Sequence, residues 1–144
     1  MVVTIDTNVI YQALRSNSGA SNYILKLVRN EQISLAISIP VFEEYQDVLN
    51  RKNSLKDLKL AKSEIDIVLQ FIALIGVSFN IYFLLRPNLK DENDNIFVEL
   101  AFCSNSEYLI TNNIKDYINS DLKFDTFKVI TPSQFMKIWR KLYE

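Results

Sequence analysis

Four short apolar stretches punctuate this chain: VVTI at 2–5, ISLAIS at 33–38, YLIT at 108–111 and FKVI at 127–130. Each is rich in β-branched residues and bounded by polar ones, the composition of a buried strand. Longer stretches with apolar residues at helical spacing lie between them, among them NVIYQAL, NYILKLVRN, VFEEYQDVLNR and NIFVELAFCSN. Strands that are apolar throughout must be covered on both faces, and intervening helices supply the crossovers that parallel strands need. The pattern predicts one three-layer α/β/α domain over residues 1–144, with a central, mainly parallel sheet of four to five strands.

Local signals set provisional boundaries. The turn SNSGAS at 16–21 predicts Ser21 as the cap of the second helix, and Pro40 fits the first turn of a helix starting near Ser38. RKNSLKDLKL at 51–60 reads as a loop or a short exposed helix. Ser63 and Asp66 predict a capping box for the helix of SEIDIVLQFIALIG, and Gly76 is expected to end it at positive φ. VSFNIYFLL reads as a further strand, RPNLKDEND as a charged break, and Thr131-Pro132 as the opening of the closing helix SQFMKIWRKLYE.

Composition narrows the chemistry. The chain holds no histidine and a single cysteine, Cys103, so histidine-based hydrolysis, Cys/His zinc sites and an internal disulfide are all excluded. A net charge of −1 supplies no long-range attraction to nucleic acid, which leaves local patches to do any such binding. The N-terminus lacks a basic region with a small-residue cleavage site, and the apolar runs fall short of the ~18–20 residues of a membrane span, so a cytoplasmic location is expected.

Ligands of open parallel sheets bind outside the carboxyl ends of the strands. Polar acceptors stand at every such end: Asp6, Thr7 and Asn8 after the first strand, and Glu43 and Glu44 early in the helix after the second. Asp91, Glu92 and Asp94 stand at the helix before the third core strand, and Thr111, Asn112, Asn113 and Asp116 at that strand's end. Helix capping accounts for any one of them alone, and Glu43 fits a solvated surface position. Collectively they do not fit that role. Two carboxylates about 4 Å apart at an effective dielectric of ~20 repel by roughly 4 kcal/mol, so a cleft gathering several must hold protons or a cation. A hard divalent ion suits such oxygen donors and can promote phosphodiester hydrolysis.

In order, VVTIDTNVIYQAL, SIPVFEEYQDVLNR, KDENDNIFVELAFCSNSEYLITNNIKDY and VITPSQF resemble the PIN-domain family of metal-dependent ribonucleases, in particular its prokaryotic VapC-like toxin branch. The resemblance spans essentially the whole chain. It implies catalytic and metal-ligating roles for Asp6, Glu44, Asp94 and Asp116, with Mg²⁺ or Mn²⁺ as cofactor. Support would come from Thr7, Asn8, Asp91, Thr111, Asn112 and Asn113. Many members place an aspartate soon after the threonine where this chain has Asn112 and Asn113, and Asp116 is the acid that follows. The same resemblance implies an RNA substrate, an antitoxin protein partner and a homodimer. Arg15, Arg51, Lys52 and Lys115 are candidates for holding the RNA backbone, although each also fits an ordinary solvated surface. Tyr11, Tyr45 and Tyr117 flank the acidic positions, where packing is the simpler role and base stacking the alternative.

Two other enzyme classes fit poorly. A haloacid-dehalogenase-like phosphatase needs a second aspartate where Asn8 stands, and a dinucleotide-binding domain needs a glycine-rich loop that a chain with two glycines lacks. A non-catalytic module of the same fold, binding RNA or protein, is the reading that Asn112 and Asn113 keep open.

Overall fold

The computed structural model describes residues 1–81, 92–118 and 126–144, without the side chains of Glu92, Asn93 and Ile118. The first half runs β1 (Val2–Ile5), α1 (Thr7–Arg15), α2 (Ala20–Arg29), β2 (Ser34–Ile37), α3 (Ile39–Leu49), α4 (Lys52–Leu58), α5 (Lys62–Ile75) and β3 (Val77–Ser78). The second half runs α6 (Glu92–Cys103), β4 (Tyr108–Ile110), α7 (Lys115–Ile118), β5 (Lys128–Ile130) and α8 (Pro132–Tyr143). Five strands form one sheet in the order β3-β2-β1-β4-β5, and all four pairings are parallel.

Successive strand residues point to opposite faces. Val3, Thr4 and Ile5 of β1 are all fully buried, and so are Leu35 and Ala36 of β2, so helices cover the sheet on both sides. Val9, Ile10, Ile24, Val28, Val41, Leu49, Ile65, Ile72, Leu100 and Phe135 complete the core from the helices.

Strand order decides where a ligand can sit. The chain begins at the central strand β1, steps outward through β2 to β3, then restarts on the other side of β1 with β4 and β5. That reversal opens a crevice at the carboxyl ends of β1 and β4. The register is direct: Ile5 pairs with Ile110, so Asp6 and Thr111 leave the sheet side by side. Hydrogen bonds from Asp6 N–H to the Ile110 carbonyl (2.9 Å) and from Thr111 N–H to the Ile130 carbonyl (2.9 Å) carry the ladder to that point.

Several boundaries follow from local chemistry. The Ser38 hydroxyl accepts from Val41 N–H with Pro40 in the first turn, and Thr131 and Gln134 cap α8 reciprocally at 3.1 and 2.9 Å. Others differ from expectation. Gly19, at φ 102°, precedes α2, which puts Ser21 inside the first turn as a buried residue rather than at the cap. Only glycine takes that backbone angle without strain. Helix α5 starts one residue before Ser63, with the Glu64 carboxylate accepting from Ala61 N–H at 3.0 Å, so the reciprocal Ser63–Asp66 pair does not form. Gly76 adopts φ −66°, not a left-handed angle. A Cβ there would meet the Ile72 carbonyl oxygen at 2.7 Å and the Ile37 side chain at 2.8 Å, so close packing requires this glycine. Residues 52–58 of the lysine-rich stretch are helical. Only Val77–Ser78 of VSFNIYFLL is strand among its described residues, and the end of the RPNLKDEND break, residues 92–94, is helical, with Asp94 in the first turn of α6.

Candidate functional site

Asp6 occupies the N-cap of α1, yet its side chain makes no capping hydrogen bond. Its carboxylate turns inward, 6% exposed, and Oδ2 accepts from three side chains: Thr111 Oγ1 at 2.8 Å, Tyr117 OH at 2.9 Å and Asn8 Nδ2 at 3.3 Å. Capping therefore does not explain this aspartate. Burial raises the Asp6 carboxyl above its ordinary value, while the Thr111 and Tyr117 hydroxyls and the nearby N–H groups of Thr7 and Asn8 favour the charged form and offset part of that rise.

The neighbours form a neutral polar network. Asn8 Oδ1 accepts from Asn112 N–H at 3.0 Å, and Asn8 Nδ2 approaches Thr111 Oγ1 at 3.4 Å. Thr111 Oγ1 also accepts from Asn113 N–H at 3.1 Å. The Asn112 and Asn113 backbone is thereby tied to the first strand's end. Thr7 is buried, and its hydroxyl has no hydrogen-bond partner among the described residues.

The other acidic positions lie on separate elements. Asp94, half-buried, lies in the first turn of α6, and Asp116, exposed, lies on α7. Burial first, then the charges of Asp6 and Asp94, the hydrogen bond to Asp6 and the charge of Asp116 hold the Tyr117 phenol far above its ordinary range. Three of the four expected acids thus act electrostatically on one buried hydroxyl. Glu44 is half-buried on α3 beside the fully buried Tyr45, whose hydroxyl donates to the Ile5 carbonyl and ties α3 to the end of β1. Glu43 is exposed and lines a separate open cleft with Asp47, Arg51 and Lys62. Asp91 lies outside the described residues.

Among the described residues no three acidic or cysteine side chains lie close enough to share one metal ion. An ion of the magnesium kind needs only one or two carboxylates, with water filling its remaining positions. An all-oxygen donor set around a buried carboxylate that gains from added positive charge fits such a water-rich site. It does not fit zinc or a soft metal.

The basic candidates stand apart. Arg15 closes α1, roughly 13 Å along the helix from Asp6, and lies 3.8 Å from the Asp57 carboxylate. Arg51 pairs with Asp47 at 2.8 Å beyond the far end of α3, and Lys52, exposed, opens α4 beside it. Lys115 is exposed on α7, the helix that carries Asp116 and Tyr117.

Tyr117 is the residue that sequence reasoning undervalued. It was an aromatic beside acids, and its hydroxyl partner, 111 positions away, has no local signature. Tyr45 and Tyr117 are buried and hydrogen-bonded, so packing describes both and base stacking neither.

Comparison with known proteins agrees with this architecture. Over 91% of this chain and 98% of the other, the fold matches a chain of VapBC2 from Rickettsia felis bound to a DNA fragment from its promoter, with a TM-score of 0.61 and 22% identity. It also matches a chain of FitAB bound to an IR36 DNA fragment over 90% and 94%, with a TM-score of 0.56 and 18% identity. No curated protein matches the chain. The PIN domain profile matches residues 2–115, and the chain belongs to the PIN domain family.

Proposed function

We propose that this protein is a Mg²⁺- or Mn²⁺-dependent endoribonuclease, the toxin of a toxin–antitoxin pair, acting in the cytoplasm as a homodimer. The observation that carries the reading is the Asp6 carboxylate, buried at the sheet's topological switch and turned away from its helix cap toward Thr111, Tyr117 and Asn8. PIN domains are generally nucleases that use divalent ions, which supports the reaction class. The two similar structures are VapBC2 and FitAB complexes, which supports an antitoxin partner.

In this reading Asp6 and Asp94 hold the ion, with Asp91 assisting. The ion supplies charge stabilisation at the phosphate and a more acidic water when bound. Glu44 and Asp116 complete the ion's shell or orient the attacking water, and Thr111 and Asn8 keep the Asp6 carboxylate in place. Asn112 and Asn113 shape the wall beside it. Lys115 is the best placed of the basic candidates to meet a backbone phosphate. Arg15, Arg51 and Lys52 would contact RNA only away from the cut.

The test is cleavage of unstructured RNA by the purified chain with Mn²⁺. Cleavage should be present in the unaltered protein, absent with chelator and reduced at least a hundredfold in Asp6→Asn. Failure with every divalent ion and RNA offered would favour a non-catalytic binding module instead. The neutral Asn112–Asn113 network is consistent with that alternative.

A further inference from the structure

We propose that Tyr117 is a positioning residue that sets the orientation of the Asp6 carboxylate for its divalent ion and holds Asp116 in place beside it. The inference rests on the metal-dependent reading above. Asp6 and Tyr117 lie 111 positions apart in the sequence, and their 2.9 Å hydrogen bond joins the end of β1 to α7. Of the described side chains of α7, Lys115 and Asp116 are exposed and Tyr117 is buried, so Tyr117 anchors this stretch to the end of β1. Asp116 precedes Tyr117 and hydrogen-bonds through its N–H to the Asn113 carbonyl at 3.0 Å. Whatever fixes Tyr117 fixes the Asp116 backbone as well.

Chemistry separates this role from packing. A buried phenol needs one acceptor, and a backbone carbonyl suffices, as Ile5 provides for Tyr45. Tyr117 instead donates to a carboxylate oxygen that already takes Thr111 and Asn8. Among the described residues all three side-chain donors to Asp6 converge on Oδ2, and none reaches Oδ1. Three side-chain donors on one oxygen restrict rotation of the carboxylate and so set how it faces a cation. Partners that orient a ligand in this way typically set metal affinity by about 10–100-fold.

The experiment compares Mn²⁺ binding, measured by calorimetry on the full chain, in the unaltered protein, Tyr117→Phe and Tyr45→Phe. Each variant deletes one buried hydroxyl and keeps its ring. Tyr117→Phe should bind Mn²⁺ about tenfold more weakly, whereas Tyr45→Phe should lower the melting temperature and leave Mn²⁺ affinity within about twofold. Equal affinity in Tyr117→Phe and the unaltered chain would overturn the positioning role while leaving the nuclease reading intact. No Mn²⁺ binding by the unaltered chain would end both. A 3-fluorotyrosine placed at 117 gives a second readout independent of whether Tyr117→Phe folds: its ¹⁹F resonance should shift on adding Mg²⁺, and an unmoved resonance counts against the proposal.

Discussion

Replacing Thr111 with valine keeps a β-branched side chain of similar volume and deletes one oxygen. Thr111 is fully buried, and that oxygen donates to Asp6 Oδ2 at 2.8 Å and accepts from Asn113 N–H at 3.1 Å. The Asn8 contact at 3.4 Å is beyond the usual range and adds little. A hydrogen bond to a charged partner contributes about 1.5–3 kcal/mol, and a neutral one about 1. Asn113 is exposed, so water can replace part of the second bond. The expected cost of Thr111→Val is therefore about 3 kcal/mol in the metal-free protein at pH 8, where Asp6 has most reason to be ionised. With a urea m-value of about 2 kcal/mol/M, the unfolding midpoint should fall by roughly 1.5 M. Thr111→Ser keeps the oxygen and loses a methyl group, costing about 1 kcal/mol. If valine costs no more than serine, the polar network contributes nothing to holding Asp6, and its role as a pre-built ligand support is wrong.

Burial holds the Tyr45 and Tyr117 phenols above their ordinary value, which also approximates the unfolded one. Stabilisation from both is complete below pH ~10 and is lost as pH rises toward the folded values, by about 1.4 kcal/mol per pH unit for each phenol. Ultraviolet titration should show these two tyrosines ionising only with unfolding. Ionisation of either in the native protein would contradict their burial. Gly76→Ala should cost about 2–3 kcal/mol in thermal or urea melts, because its Cβ would fall 2.7 Å from the Ile72 carbonyl oxygen. A neutral result would mean that α5 and Ile37 shift freely. Ser38→Ala should cost about 1 kcal/mol through the lost cap on Val41 N–H, measured by the same melts, and no change would show that Pro40 alone starts α3.

Much of the framework was legible because short-range chemistry decided it. The strand at 2–5 coincides with its β-branched run, and the Ser38–Pro40 and Thr131–Pro132 starts were readable because a cap and a proline act within a few residues. The same logic failed where two local solutions compete. Ser63 and Asp66 have suitable spacing, but α5 begins a residue earlier and recruits Glu64 instead. Gly76 does end α5, but at φ −66° and not at a left-handed angle, and close packing against the Ile72 carbonyl and against Ile37 of β2, which no local window contains, is what requires it.

By itself the sequence determined the strand–helix alternation, the lack of histidine chemistry and the presence of oxygen donors at strand ends, since composition and spacing carry those facts directly. Only the tertiary structure decided which donors meet. Parallel pairing of Ile5 with Ile110 brings Asp6 beside Thr111, and the fold of α7 delivers Tyr117 to the same carboxylate. The physical reason is that a buried carboxylate must collect its donors wherever the folded chain supplies them, and here the hydroxyl donors lie more than a hundred residues away.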